Sequence, residues 1–216
     1  MRFQGVIFDA DGTLLDSMPM WRNFGADYLR SCGKEPEPDI DKTIQPYSFR
    51  VAAEYFQQHY GVERSVEEML RDFHELVGEQ YREKISAKPG ARALFERLSS
   101  LGVKMCVATS TDGALVRQAM DRLGLLPYLV DCISCGDYNT TKSLPDIFDR
   151  AAALMGTDRS NTAVFEDSYH CIQTVTRAGY FTVCVSDPFT AEYAGELRTL
   201  ANYYLDRLDD FGWMDL

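Results

Sequence analysis

Val6-Ile7-Phe8-Asp9-Ala10-Asp11-Gly12-Thr13-Leu14-Leu15-Asp16-Ser17 is the stretch around which the rest of the chain organises itself. A short apolar run, Phe3–Phe8, ends abruptly in two aspartates and a glycine. Runs like this, apolar without alternation, suit strands buried on both faces of a parallel sheet. Four more follow, at Val103–Ala108, Cys132–Ser134, Thr162–Phe165 and Thr182–Val185. Helical patterns with clear end signals separate them. Leu94, Phe95, Leu98 and Leu101 share one face before Gly102. Asp112 suits the cap of a helix burying Val116, Ala119, Met120 and Leu123, which stops at Gly124. Pro145 suits the first turn of a helix carrying Phe148, Ala151, Ala152 and Met155, stopped by Gly156. This alternation predicts an α/β fold, a Rossmann-like parallel sheet wound on both faces by helices.

One region departs from the alternation. From Ser17 to Lys88 the pattern is helical throughout. Met20, Phe24 and Tyr28 fall on one stripe that ends at Gly33, and Val51, Ala52, Tyr55 and Phe56 form a second before Gly61. Ser65 with Glu68 reads as a capping box ahead of Val66, Met69, Leu70, Phe73 and Val77. The expected organisation is therefore a core of residues 1–16 and 89–216 with an all-helical cap, 17–88, inserted after the first strand.

Composition narrows the function classes. The 216 residues carry 22 Lys+Arg against 33 Asp+Glu, a net charge of −11 that repels nucleic-acid backbones and anionic lipid. Small phosphorylated ligands stay compatible, because a few local cations can outweigh the global field. No apolar run approaches the ~18 residues of a membrane-spanning helix, and Val6-Ile7-Phe8 is too short for a signal-peptide core. Six cysteines spread over a chain of this size read as reduced thiols, hence a cytoplasmic protein, expected as a monomer or weak homodimer. Cys132 and Cys135 have CxxC spacing, but with no second pair they read as the end of a buried strand.

In open α/β sheets ligands bind beyond the carboxyl ends of the strands. Strand one delivers Asp9-Ala10-Asp11-Gly12-Thr13 there, strand two Thr109-Ser110, and strand four Glu166-Asp167-Ser168; Lys142 lies between strand three and the helix at Pro145. Carboxylates gathered that closely repel one another unless a cation sits among them, and hard oxygen donors suit Mg²⁺. Any one of these residues alone has a plainer reading: an Asp after a strand is often a cap or turn residue, Thr109 an N-cap, Lys142 a solvated cation.

Together these four segments resemble the signature motifs of the haloacid dehalogenase superfamily of phosphotransferases, in order and over nearly the whole chain. The resemblance implies that Asp9 is the nucleophile forming an aspartyl-phosphate, and that Asp11 is the general acid and then base. It further implies that Asp9, Asp11 (through its backbone carbonyl), Glu166 and Asp167 hold Mg²⁺, and that Thr109, Ser110 and Lys142 bind the transferring phosphoryl group. The position of the cap resembles the branch containing phosphoglycolate phosphatase and beta-phosphoglucomutase. An acidic residue at Asp11 points to phosphate-ester chemistry on a small phosphorylated metabolite. Thr141 and Ser143 around Lys142, and Cys171, depart from the common pattern.

Several other residues keep bland readings. His170 reads as a structural or surface histidine, and His59 and His74 as solvated. Trp21, Arg22, Tyr47 and Arg50 could touch substrate, but surface or core roles suit each of them. The rival functions are a sugar phosphomutase, a receiver-like signalling domain, and a catalytically silent binding relative. The inserted cap and the motif order weigh against the receiver.

Overall fold

The computed structural model describes residues 3–44, 47 and 49–215. The elements run β1 (Gly5–Phe8), α1 (Met18–Trp21), α2 (Phe24–Ser31), α3 (Ile40–Ile44), α4 (Phe49–Tyr60), α5 (Val66–Glu79), α6 (Ala91–Ser100), β2 (Lys104–Thr109), α7 (Gly113–Arg122), β3 (Leu129–Ser134), α8 (Asp146–Met155), β4 (Thr162–Glu166), α9 (Tyr169–Ala178), β5 (Phe181–Val185), α10 (Ala194–Leu200) and β6 (Tyr203–Leu205). The sheet has the order β3-β2-β1-β4-β5-β6 and every pairing is parallel.

That order explains why every residue of β1 and β4 is buried, with apolar side chains along all but the two ends of β4, Thr162 and Glu166. Successive side chains serve opposite faces of the sheet. Ile7 joins a cluster with Ile133, Phe148, Ala151, Met155 and Val164. Phe8 instead meets the rings of Phe95 and Phe165 at 5.1 and 4.9 Å. The order reverses beside β1, so the crevice for a ligand opens between the carboxyl ends of β1 and β4.

The three-residue strand β6 was not anticipated: Tyr203 and Tyr204 are only half-buried, so no apolar run announces it. The predicted helix from Met20 to Gly33 is two helices. The Asn23 amide donates to the Pro19 carbonyl at 2.9 Å, and Asn23 then occupies the N-cap of α2. Such local side-chain bonds compete with a continuous helix.

The chain divides into two compact units, one comprising Met1–Asp16 with Ile85–Leu216 and the other Ser17–Lys84. Residues Ile85 to Lys88, assigned to the insertion on sequence, group instead with the sheet. The Asp16 N–H donates to the Ser86 carbonyl, the Lys88 N–H donates to the Leu14 carbonyl, and Leu15 bridges Ala87. Within the helical unit, Ser65 and Glu68 form the expected capping box at the start of α5. Its core closes on Phe73, fully buried and ringed by Phe24, Tyr28, Phe49 and Phe56 at 5.1, 4.6, 5.4 and 6.1 Å. Truncation there leaves a cavity that neighbouring rings fill poorly. Phe73→Ala is expected to lower stability by about 3–5 kcal/mol, read from urea unfolding curves.

Candidate active site

The β1 exit is shaped by a tight loop. The Ala10 carbonyl accepts the N–H groups of both Leu14 and Leu15, and the Gly12 N–H donates to the Leu15 carbonyl. Gly12 has φ +83°, a left-handed conformation in which a side chain would be strained. Asp9 is tied across to the neighbouring strand, its N–H donating to the Phe165 carbonyl at 2.9 Å. With Phe8 in register with Phe165, this bond sets Asp9 beside Glu166.

Asp9, Glu166 and Asp167 are all buried, and each offers a carboxylate oxygen within 4.8 Å of the others. Lys142, also buried, donates to Asp9 Oδ1 and, at 2.7 Å, to Glu166 Oε1. Glu166 Oε2 accepts the Ser168 N–H at 2.8 Å, so both Glu166 oxygens already have donors. Thr13 Oγ1 donates to Asp167 Oδ1 at 3.3 Å.

The electrostatics follow from three carboxylates facing one ammonium. Burial pushes the Asp9 carboxyl up to about 7, with Glu166 and Asp11 adding to the rise and Lys142 opposing it. Burial also raises Asp167 well above the usual carboxylate range, helped by the charges of Glu166, Asp9 and Asp187 and opposed by Lys88. Lys142 stays charged: burial disfavours its ammonium, but Asp9 and Glu166 more than offset that. An oxygen-rich cluster with more anionic than cationic charge fits a hard divalent ion. Asp9 and Asp167 are the better-placed donors, since Glu166 is engaged with Lys142 and Ser168.

The other sequence candidates are more dispersed. Asp11, half-buried, accepts a 2.8 Å bond from the Thr111 hydroxyl. Thr109 is buried, and its hydroxyl accepts the Thr111 N–H at 3.1 Å. Ser110 is exposed, with its hydroxyl 4.0 Å from Cys135 Sγ. Of the possible substrate contacts on the helical unit, Trp21 donates to the Tyr81 hydroxyl at 3.3 Å and Arg50 pairs with Glu67 at 3.3 Å. Tyr47 lies against Tyr55, and Arg22 is exposed. All three histidines are exposed.

Two features escaped the sequence reading. Thr111 had no motif to mark it. Lys88 and Asp187 form a buried ion pair of 2.6 Å, with Lys88 also donating to the Ser186 carbonyl at 3.0 Å. Asp187 lies just past β5, so the same search of strand exits, extended by one strand, would have found it.

A family model described as haloacid dehalogenase-like hydrolase matches residues 3–179. The chain is 27% identical to a phosphorylated carbohydrates phosphatase of Thermotoga maritima, covering 82% of each sequence. It is 26% identical to hexitol phosphatase A of Escherichia coli, covering 87% of this chain and 85% of that one. A solved structure described as a predicted phosphoglycolate phosphatase from Haemophilus somnus superposes with a TM-score of 0.80. At 16% identity, covering 100% of this chain and 99% of the other, that likeness shows a shared fold.

The charge imbalance generates a prediction that needs no turnover. Saturating Mg²⁺ is expected to raise the thermal midpoint by about 5–11 °C, the shift that a concentration near 100 Kd gives a chain of this size. In Asp167→Asn the response should largely vanish in the same thermal scan.

Proposed function

The chain belongs to the haloacid dehalogenase-like hydrolases, and from that premise we propose that this phosphatase hydrolyses a small phosphorylated metabolite, with a sugar phosphate the favoured class, through an aspartyl-phosphate on Asp9 with Mg²⁺ as cofactor. The observation that carries the reading is the buried cluster of Asp9, Glu166 and Asp167 bridged by Lys142. The phosphorylated carbohydrates phosphatase and hexitol phosphatase A among its relatives favour hydrolysis over phosphoryl migration and point toward sugar phosphates.

In this mechanism an Asp9 carboxylate oxygen attacks phosphorus, and the P–O bond to the substrate breaks. Asp11 gives its proton to the departing oxygen, so the alcohol leaves neutral. The Asp11 carboxylate then takes a proton from water as that water attacks phosphorus, and the new P–O bond releases phosphate and restores Asp9. Lys142 holds Asp9 at a fixed angle and faces the phosphoryl oxygens with positive charge. Thr109 contributes its hydroxyl, and backbone N–H groups of the Asp11 loop add donors for the same oxygens. Glu166 keeps Lys142 in place. Mg²⁺, held by Asp9 and Asp167, would supply charge that offsets repulsion between carboxylate and phosphate.

The test is inorganic phosphate release from a panel of phosphorylated metabolites, with Mg²⁺ or with a chelator. Asp9→Asn should retain the wild-type circular dichroism spectrum and lose about a thousandfold or more in kcat. Release by Asp9→Asn at the wild-type rate would mean that another group attacks phosphorus.

A further inference from the structure

The hydroxyl of Thr111 donates a 2.8 Å hydrogen bond to Asp11 Oδ2. The same residue's backbone N–H donates to Thr109 Oγ1 at 3.1 Å. Thr111 therefore joins two strand exits, the β1 loop that carries Asp11 and the β2 end that carries Thr109, by two different atoms. Asp11 needs such a tether. It lies on a tight loop beyond the sheet, only half-buried, whereas Asp9, Glu166 and Asp167 are held by burial among strand ends. A half-exposed carboxylate has several staggered rotamers open to it, and a directed bond from Thr111 favours the one in which it forms.

We propose that Thr111 is the positioning residue for the general acid–base Asp11, fixing the plane of its carboxylate so that its proton reaches the leaving oxygen. The inference rests on the assignment of Asp11 made above and adds to it the group that aims it. No bond to substrate is required of Thr111. Its contribution to the first step appears where proton delivery limits that step, because a well-aimed acid matters most when the departing oxygen is strongly basic.

Thr111→Val separates the two atoms. It removes the hydroxyl at nearly constant shape and leaves the backbone N–H that reaches Thr109. The probes are 4-nitrophenyl phosphate and phenyl phosphate, which differ little in shape but strongly in leaving-group basicity. With Mg²⁺ present, Thr111→Val is expected to lower kcat/KM, which reports the steps up to departure of the leaving group, about tenfold for phenyl phosphate and less than about twofold for 4-nitrophenyl phosphate. Thr111→Ser should restore most of the lost kcat/KM, since it returns the donor. Asp11→Asn should show the same selective loss, larger, and adding Thr111→Val to it should cost nothing further. If Asp11→Asn is selective while Thr111→Val loses equally on both probes, or not at all, the positioning role is wrong and the assignment of Asp11 stands. If Asp11→Asn itself shows no leaving-group dependence in kcat/KM, that assignment fails and the role of Thr111 falls with it.

Discussion

The site is organised by one electrostatic constraint. Asp9, Glu166 and Asp167 are buried within 4.8 Å of one another, and a single ammonium, Lys142, bridges two of them. Like charges in a low-dielectric interior persist only with a matching cation or a retained proton. Asp9 and Asp167 accordingly hold their protons far more tightly than ordinary carboxylates. The remaining features of the site position this cluster or compensate its charge.

The sheet order makes the cluster possible. Placing β1 next to β4 puts Asp9 and Glu166 on adjacent strand ends, with the Asp9 N–H bonded to the Phe165 carbonyl. Their burial depends on the apolar residues beneath, where the rings of Phe8 and Phe165 meet at 4.9 Å. A buried second pair, Lys88 and Asp187, lies within electrostatic reach of Asp167. Its net charge is zero, so it leaves the excess of negative charge unchanged. The cost of burying these groups is offset by packing elsewhere in the fold.

The helical unit achieves its own stability in a different way, through an aromatic cluster around Phe73 and through directed end signals such as the Ser65–Glu68 capping box. Where a local signal competed with helical periodicity, the local signal won. The Asn23 amide breaks what the spacing of Met20, Phe24 and Tyr28 suggested was one helix. At the other end of the insertion, Ile85 to Lys88 read as part of the helical segment but join the first unit through backbone bonds to Leu14 and Asp16.

The amino-acid sequence by itself determined the alternation of buried strands and amphipathic helices, the helical insertion after the first strand, and the residues at each strand exit. Those properties are local: hydrophobic period, turn chemistry and caps act over a few residues. Strand β6 escaped because three residues, two of them half-buried, carry no periodic signal. What only the tertiary structure decided was which strand-end groups meet. It joined Lys142 to both Asp9 and Glu166, gave Asp11 to Thr111, and set Ser110 beside Cys135. Those pairings span up to 133 positions, Lys142 to Asp9, and they depend on strand order and register. Neither quantity is encoded in any short stretch of chain, since each arises from how all the strands pack together.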